Sequence, residues 1–150
     1  MVKLDITDWR DLEGFVSDLV TKLRAKAGRR AMVLALHGDL GTGKTALTQL
    51  LAKQLGVEES VVSPTFTIMK VYSTKDEVFT KLYHLDVYRF ESPLELIPLG
   101  WHELLGAANT LICVEWAEKI ATELPSDTIH LHLELLETGQ RTVLVEDLAD

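Results

Sequence analysis

Apolar positions along this chain follow three kinds of spacing, and each predicts a different element. Leu12, Phe15, Val16, Leu19, Val20 and Leu23 recur at the interval that lines one face of a helix, from about Thr7 to Ala27. Thr7 is the expected N-cap, with Asp8 and Asp11 in the first turn and Gly28 as the stop. Trp9 is expected to act as a staple at the helix start, with a partner or nucleotide contact as alternatives. Ala31–His37 and Leu111–Val114 are continuous apolar runs, suited to strands buried on both faces. Val2–Ile6 alternates as a short strand. Thr67–Tyr72 with Val78–Tyr88, and Thr128–Leu136 with Arg141–Val145, read as two hairpins that turn at Ser73–Glu77 and at Thr138-Gly139. Ala46–Leu55 is rich in helix formers. Ser92–Gly106 predicts one or two short helices: Ser92 caps, Pro93 suits the first turn, Pro98 and Gly100 break the run, and Trp101, Leu104 and Leu105 pack.

At 150 residues and 47% hydrophobic, the chain is expected to form one domain over residues 1–150 with a core that needs no staples. The single cysteine, Cys113, lies inside an apolar run and so reads as a buried thiol in a reducing compartment. No apolar stretch is long enough to span a bilayer, and the opening MVKLDITDWR carries acids where a signal peptide has its apolar core; the expectation is a cytoplasmic protein without a membrane partner. A net charge of −8 argues against autonomous binding to a phosphate backbone. Five cations nevertheless cluster at Lys22, Arg24, Lys26, Arg29 and Arg30, which fits the C-terminal end of a helix dipole, with a docking patch as the alternative.

Between the first buried run and the helix-prone segment lies Gly38-Asp39-Leu40-Gly41-Thr42-Gly43-Lys44-Thr45, which fits the phosphate-binding pattern G-x-x-x-x-G-K-[ST] at every specified position. Glycine lets the loop turn its N–H groups inward around phosphate oxygens, and the helix that follows, through Ala46, adds its positive dipole end. Lys44 can reach the β and γ phosphates and the Thr45 hydroxyl can hold Mg²⁺. Three later segments carry candidate partners. Ser63-Pro64-Thr65-Phe66 sets two hydroxyls on a stiff loop, with Thr65 a candidate γ-phosphate sensor or simple turn residue. Asp86, in Tyr83–Arg89, ends a predicted strand and can orient water or support Mg²⁺. Glu115 follows four buried apolar residues and is the best Mg²⁺ ligand. His84, His130 and His132 lack cysteine partners and metal-ligand spacing, so they read as packing or surface groups.

The site is expected to be that of a three-layer α/β P-loop NTPase fold with a mostly parallel central sheet and antiparallel hairpin strands. A Ras-like GTPase is disfavoured because the only asparagine, Asn109, is followed by Thr110 rather than by the Lys-x-Asp that reads guanine. A small-molecule kinase would close an arginine-rich lid over the phosphates, yet only Lys119 and Arg141 follow Arg89. That reading and a nucleotide-gated binding module without hydrolysis remain as alternatives.

GDLGTGKT (Gly38–Thr45), SPTF (Ser63–Phe66), YHLDVYR (Tyr83–Arg89) and EW (Glu115-Trp116), in this order and at these spacings, resemble the bacterial TsaE family, the ATPase of tRNA threonylcarbamoyladenosine biosynthesis. The resemblance runs from about Trp9 to Val145. The family often continues as Glu-Trp-Pro, where this chain has Ala117. It implies an ATP- and Mg²⁺-dependent hydrolase whose functional residues match Lys44, Thr45, Thr65, Asp86, Glu115 and Trp116, with Tyr88 and Arg89 as further contact candidates. It also implies weak activity alone, and partners TsaB and TsaD that transfer threonylcarbamoyl to tRNA and hold most of that tRNA, this chain resetting the complex by hydrolysis.

Overall fold

The computed structural model describes residues 2–6, 8–39 and 41–146. Seven strands form one sheet: β1 (Val2–Ile6), β2 (Met32–His37), β3 (Met69–Ser73), β4 (Lys81–Asp86), β5 (Thr110–Glu115), β6 (Ile129–Leu135) and β7 (Arg141–Glu146). Their spatial order is β1-β7-β6-β2-β5-β4-β3. β4, β5, β2 and β6 run parallel at the centre, whereas β3 joins β4, and β7 joins both β6 and β1, in antiparallel register. The expected mostly parallel sheet is therefore a mixed one, with parallel and antiparallel pairings in equal number among the described residues. The two hairpins are legible locally, but the pairing of β1 with the last strand, a contact across the length of the chain, is not.

Alternation along the central strands builds a core on each face. Leu34, Leu36, Leu111 and Cys113 point to one, packed under α1 (Trp9–Lys26) and α2 (Lys44–Gln54). Val33, Ala35, Ile112 and Val114 point to the other, under α3 (Trp101–Leu105) and two 3₁₀ segments, Pro93–Leu99 and Ala117–Glu123. Helical layers thus cover both faces of the sheet, as continuous apolar strands require.

The apolar stripe of α1 is buried at Leu12, Val16, Leu19, Val20 and Leu23. Its N-cap is Asp8 rather than Thr7, which lies outside the described residues, as does the side chain of Trp9. Asp8 Oδ1 accepts from the N–H of Arg10 (2.9 Å) and Asp11 (3.1 Å), and Asp11 Oδ2 accepts from Asp8 N–H in return, so a carboxylate pair performs the reciprocal capping. The helix stops at Lys26 through an extended Ala27, not through a left-handed Gly28. Arg24, from the basic cluster, pairs with Asp76 in the β3–β4 connection at 2.5 Å, while Arg29 and Arg30 are exposed. Ser92 and Glu95 form the expected cap at Pro93–Leu99. The second 3₁₀ segment has no counterpart in the sequence reading, because Ala117–Glu123 has neither a cap nor a helical period long enough to register there.

Candidate functional site

β2, β5 and β4 are neighbours and end at the same edge, so their C-terminal residues deliver three features to one crevice. β2 passes into the glycine loop, β5 ends at Glu115, and β4 ends at Asp86, which lies opposite Glu115 in register. Ligands of open α/β sheets bind at this kind of edge.

The loop needs its glycines at specific points. Gly38 has φ +149°, and a Cβ there would lie 2.6 Å from both the Leu133 carbonyl oxygen and Thr42 Oγ1. Gly43, left-handed at φ 105°, is the N-cap of α2 and offers no side chain to cap it. The first N–H groups of α2 therefore lack a side-chain acceptor and form an anion-accepting helix end. Lys44 is buried; its Nζ donates to the Gly38 carbonyl and lies 3.9 Å from the centre of the Trp116 ring.

A cleft of about 260 Å³ collects Gly41, Gly43, Lys44, Thr45, Ala46, Ser63, Thr65, Asp86, Glu115 and Trp116. Three described residues of the loop, Gly38, Asp39 and Thr42, line a neighbouring hollow beside His132 and Glu134 instead, and Leu40 lies outside the described residues. Thr65 Oγ1 donates to Asp86 Oδ2 at 3.1 Å and meets Ser63 Oγ at 2.7 Å, while Asp86 Oδ1 accepts from Tyr88 N–H at 3.0 Å. The stiff hydroxyl loop, separated from Asp86 by twenty-one positions, is thus tied to it directly. Glu115 Oε2 accepts from the Nε2 of His84 at 2.6 Å, both side chains being buried.

Trp116 adopts a left-handed backbone (φ 61°), which turns the chain after β5 so that its indole covers Lys44 and meets the Tyr88 ring at 5.0 Å. Lys119 stands over the other ring of this pair, 5.4 Å from the centre of Tyr88. Arg89, a contact candidate, does not line the cleft: it is exposed and stacks on Phe66 at 5.0 Å in a cation–π contact. Phe66 is itself 84% exposed. Ala117, where the related pattern has proline, is the buried first residue of its 3₁₀ segment, a position that suits either residue.

Sequence reasoning gave two contributors no role in the site. Ser63 shares the cleft with Thr65. His84, read as a packing or surface group, bonds the candidate metal ligand; the signal was its place two residues before Asp86 on an alternating strand. The other histidines also interact: His37 Nε2 lies 2.9 Å from His130 Nδ1, and the His37 ring stacks on His132 with centroids 4.6 Å apart. Among the described residues no group of three or more histidine, cysteine or acidic side chains converges as a metal-chelating set. Cys113 is inert, since burial first and then the Glu115 charge push its thiol far above the ordinary range. No helix of the described residues is long and apolar enough to cross a membrane.

A mixed-sheet α/β protein with a glycine loop, a helix N-terminus and two strand-end carboxylates at one edge is the class that this geometry defines. Residues 9–143 match the sequence model of the threonylcarbamoyl adenosine biosynthesis protein TsaE, and the chain belongs to that family. It is 40% identical over 113 residues to the tRNA threonylcarbamoyladenosine biosynthesis protein TsaE of Treponema pallidum, covering 75% of this chain and 80% of the relative. The Bacillus subtilis protein of the same name is 37% identical over 135 residues, 90% of this chain and 82% of the relative. The crystal structure of Bacillus subtilis YdiB superposes with a TM-score of 0.73 at 28% identity, over 99% of this chain and 86% of that one.

Proposed function

We propose that this chain is the ATP-binding and ATP-hydrolysing component of tRNA threonylcarbamoyladenosine modification, acting in the cytoplasm on a TsaB–TsaD transferase complex and resetting it between turnovers. One observation carries the reading. The cleft brings the N-terminus of α2, Lys44, Thr45, Thr65, Asp86 and Glu115 together from four separate stretches of sequence. Helices on both faces of the sheet support a three-layer P-loop NTPase fold, and family membership supports the tRNA pathway.

The donor set fits Mg²⁺, which takes hard oxygen ligands such as the hydroxyl of Thr45 and the carboxylate of Glu115. When bound, the ion neutralises charge on the β and γ phosphates. The protein's part is positional. Loop N–H groups and Lys44 hold the phosphates; Asp86, steadied by Thr65 and the Tyr88 N–H, orients the attacking water; Thr65 registers the γ-phosphate through that same hydrogen bond. Trp116 screens Lys44 from solvent. Among the described residues Lys44 is the only cation lining the cleft, since Arg89 is turned to Phe66. Transition-state charge is therefore incompletely neutralised, which supports slow hydrolysis by the isolated chain and completion by a partner.

Phosphate release measured with and without TsaB, TsaD and tRNA tests the reading. Stimulation by the protein partners with release of free phosphate is expected. Consumption of ATP that depends on a small acceptor would instead identify a kinase, and binding without turnover a nucleotide-gated module.

A further inference from the structure

His84 occupies a place where an apolar side chain would serve packing better. It lies on β4 on the same face as Leu82 and Asp86, opposite Cys113 in register and fully buried. Its Nδ1 is buried without a hydrogen-bond partner, a cost that leucine or valine would not incur. Its Nε2 makes one bond, at 2.6 Å, to Oε2 of Glu115. Asp86 and Glu115 face each other in register, and each is held by a different set of donors: Asp86 by Thr65 and the Tyr88 N–H, Glu115 by His84.

We propose that His84 is the positioning residue of the divalent-cation site: by holding Oε2 it fixes the rotamer of Glu115 and presents the second carboxylate oxygen to the cleft beside Thr45. The inference rests on the reading of Glu115 as an Mg²⁺ ligand and deepens it. A carboxylate left to rotate would ligate the ion from an ensemble of poses, whereas one oxygen pinned from behind leaves the other pre-aimed. The nucleotide's contacts with the loop N–H groups and Lys44 do not pass through His84, so the two affinities separate.

The test is calorimetric binding of a non-hydrolysable ATP analogue, first in EDTA and then across an Mg²⁺ series. In the wild-type chain Mg²⁺ is expected to tighten binding. His84→Leu should raise the Mg²⁺ concentration for half-maximal tightening by about ten-fold or more, with affinity in EDTA unchanged. His84→Gln, whose amide reaches Oε2, should recover most of the loss; His84→Asn, whose amide falls short, should not. Wild-type Mg²⁺ dependence in the leucine variant, equal behaviour of the glutamine and asparagine variants, or parallel loss of affinity in EDTA each overturns the inference. If the leucine variant does not fold, the glutamine and asparagine pair decides. A wild-type chain that binds no analogue under either condition overturns the nucleotide reading itself, and a wild-type chain indifferent to Mg²⁺ overturns the cation site and this inference with it.

Discussion

The buried ammonium of Lys44 faces the indole of Trp116 at 3.9 Å while donating to the carbonyl of Gly38, six residues earlier in the same loop. A buried cation needs such partners, and these two hold it in the loop's own hydrogen-bonding pattern.

ATP binding is expected to draw Lys44 from the Gly38 carbonyl to phosphate oxygens and so change the environment of the Trp116 ring. Tryptophan emission should shift on nucleotide addition in the wild type and lose that shift in Trp116→Phe, although Trp9 and Trp101 remain. Lys44→Ala should lower phosphate release by the reconstituted complex at least about 10²–10³-fold, as removal of a preorganised charge donor does. Near-normal turnover in that variant would remove Lys44 from the mechanism.

Gly38 and Gly41 separate two costs of the loop's backbone. Gly38→Ala would place Cβ 2.6 Å from a backbone oxygen of β6 that has no freedom to retreat, so the loop must move. A loss of about 2 kcal/mol or more in unfolding free energy is expected, together with loss of nucleotide binding. Gly41, at φ +82°, has no atom within 4 Å of the point where a methyl group would stand, so Gly41→Ala should cost only the left-handed backbone term of about 1–2 kcal/mol. Urea midpoints of the two variants check the ordering.

The contrast between what could be read early and what could not follows the range of the interactions. The stripe of α1, the buried runs of β2 and β5 and the glycine loop are local patterns, and each element formed within a few residues of its expected bounds. Asp86 and Glu115 were separable from other acids because each stands at the end of a predicted strand, Glu115 after an apolar run. Pairing of β1 with β7 and the bond from Thr65 to Asp86 depend on the sheet order, which no local pattern encodes. His84 was misread for the same reason: its partner lies thirty-one positions away and becomes adjacent only when β4 and β5 pair. The first helical residue differs from the expectation because Asp8 caps the helix through its exchange with Asp11.

His37 makes stability sensitive to mild acid. Burial first, then the neighbouring His132, and further His130, hold its pKa below the ordinary 6.5 against the opposing influence of Glu118. The neutral ring satisfies both contacts by donating from Nδ1 to Glu118 (3.3 Å) and accepting at Nε2 from His130 Nδ1 (2.9 Å). The folded state therefore binds the proton less readily than the unfolded chain. Its contribution is complete above pH 6.5 and is lost as pH falls from there through the folded-state pKa. Urea unfolding of the wild type should weaken more than that of His37→Gln between about pH 7.5 and 5.5. Equal slopes would show that His37 is protonated as easily in the folded protein as out of it.

Asp76 ties the β3–β4 connection to α1, and because its side chain is buried its removal should be costly. Its Oδ1 accepts from Nε (2.9 Å) and Nη2 (2.5 Å) of Arg24, while Oδ2 accepts from the N–H of Val78 and Phe79. Burial alone would raise its pKa, but the Arg24 hydrogen bond and those two backbone donors outweigh it and leave the carboxyl below 3.8. Because its folded-state pKa is depressed, the stabilisation is present above pH 3.8 and disappears as pH falls below it. Asp76→Ala leaves two backbone donors and a guanidinium without their acceptor and should cost about 1–3 kcal/mol at neutral pH. Arg24→Ala removes only the partly exposed ion pair and should cost less, about 0–1 kcal/mol. Chemical denaturation of both variants at neutral pH tests the ranking. An arginine variant as unstable as the aspartate variant would mean that the ion pair, rather than the backbone turn, is what Asp76 secures.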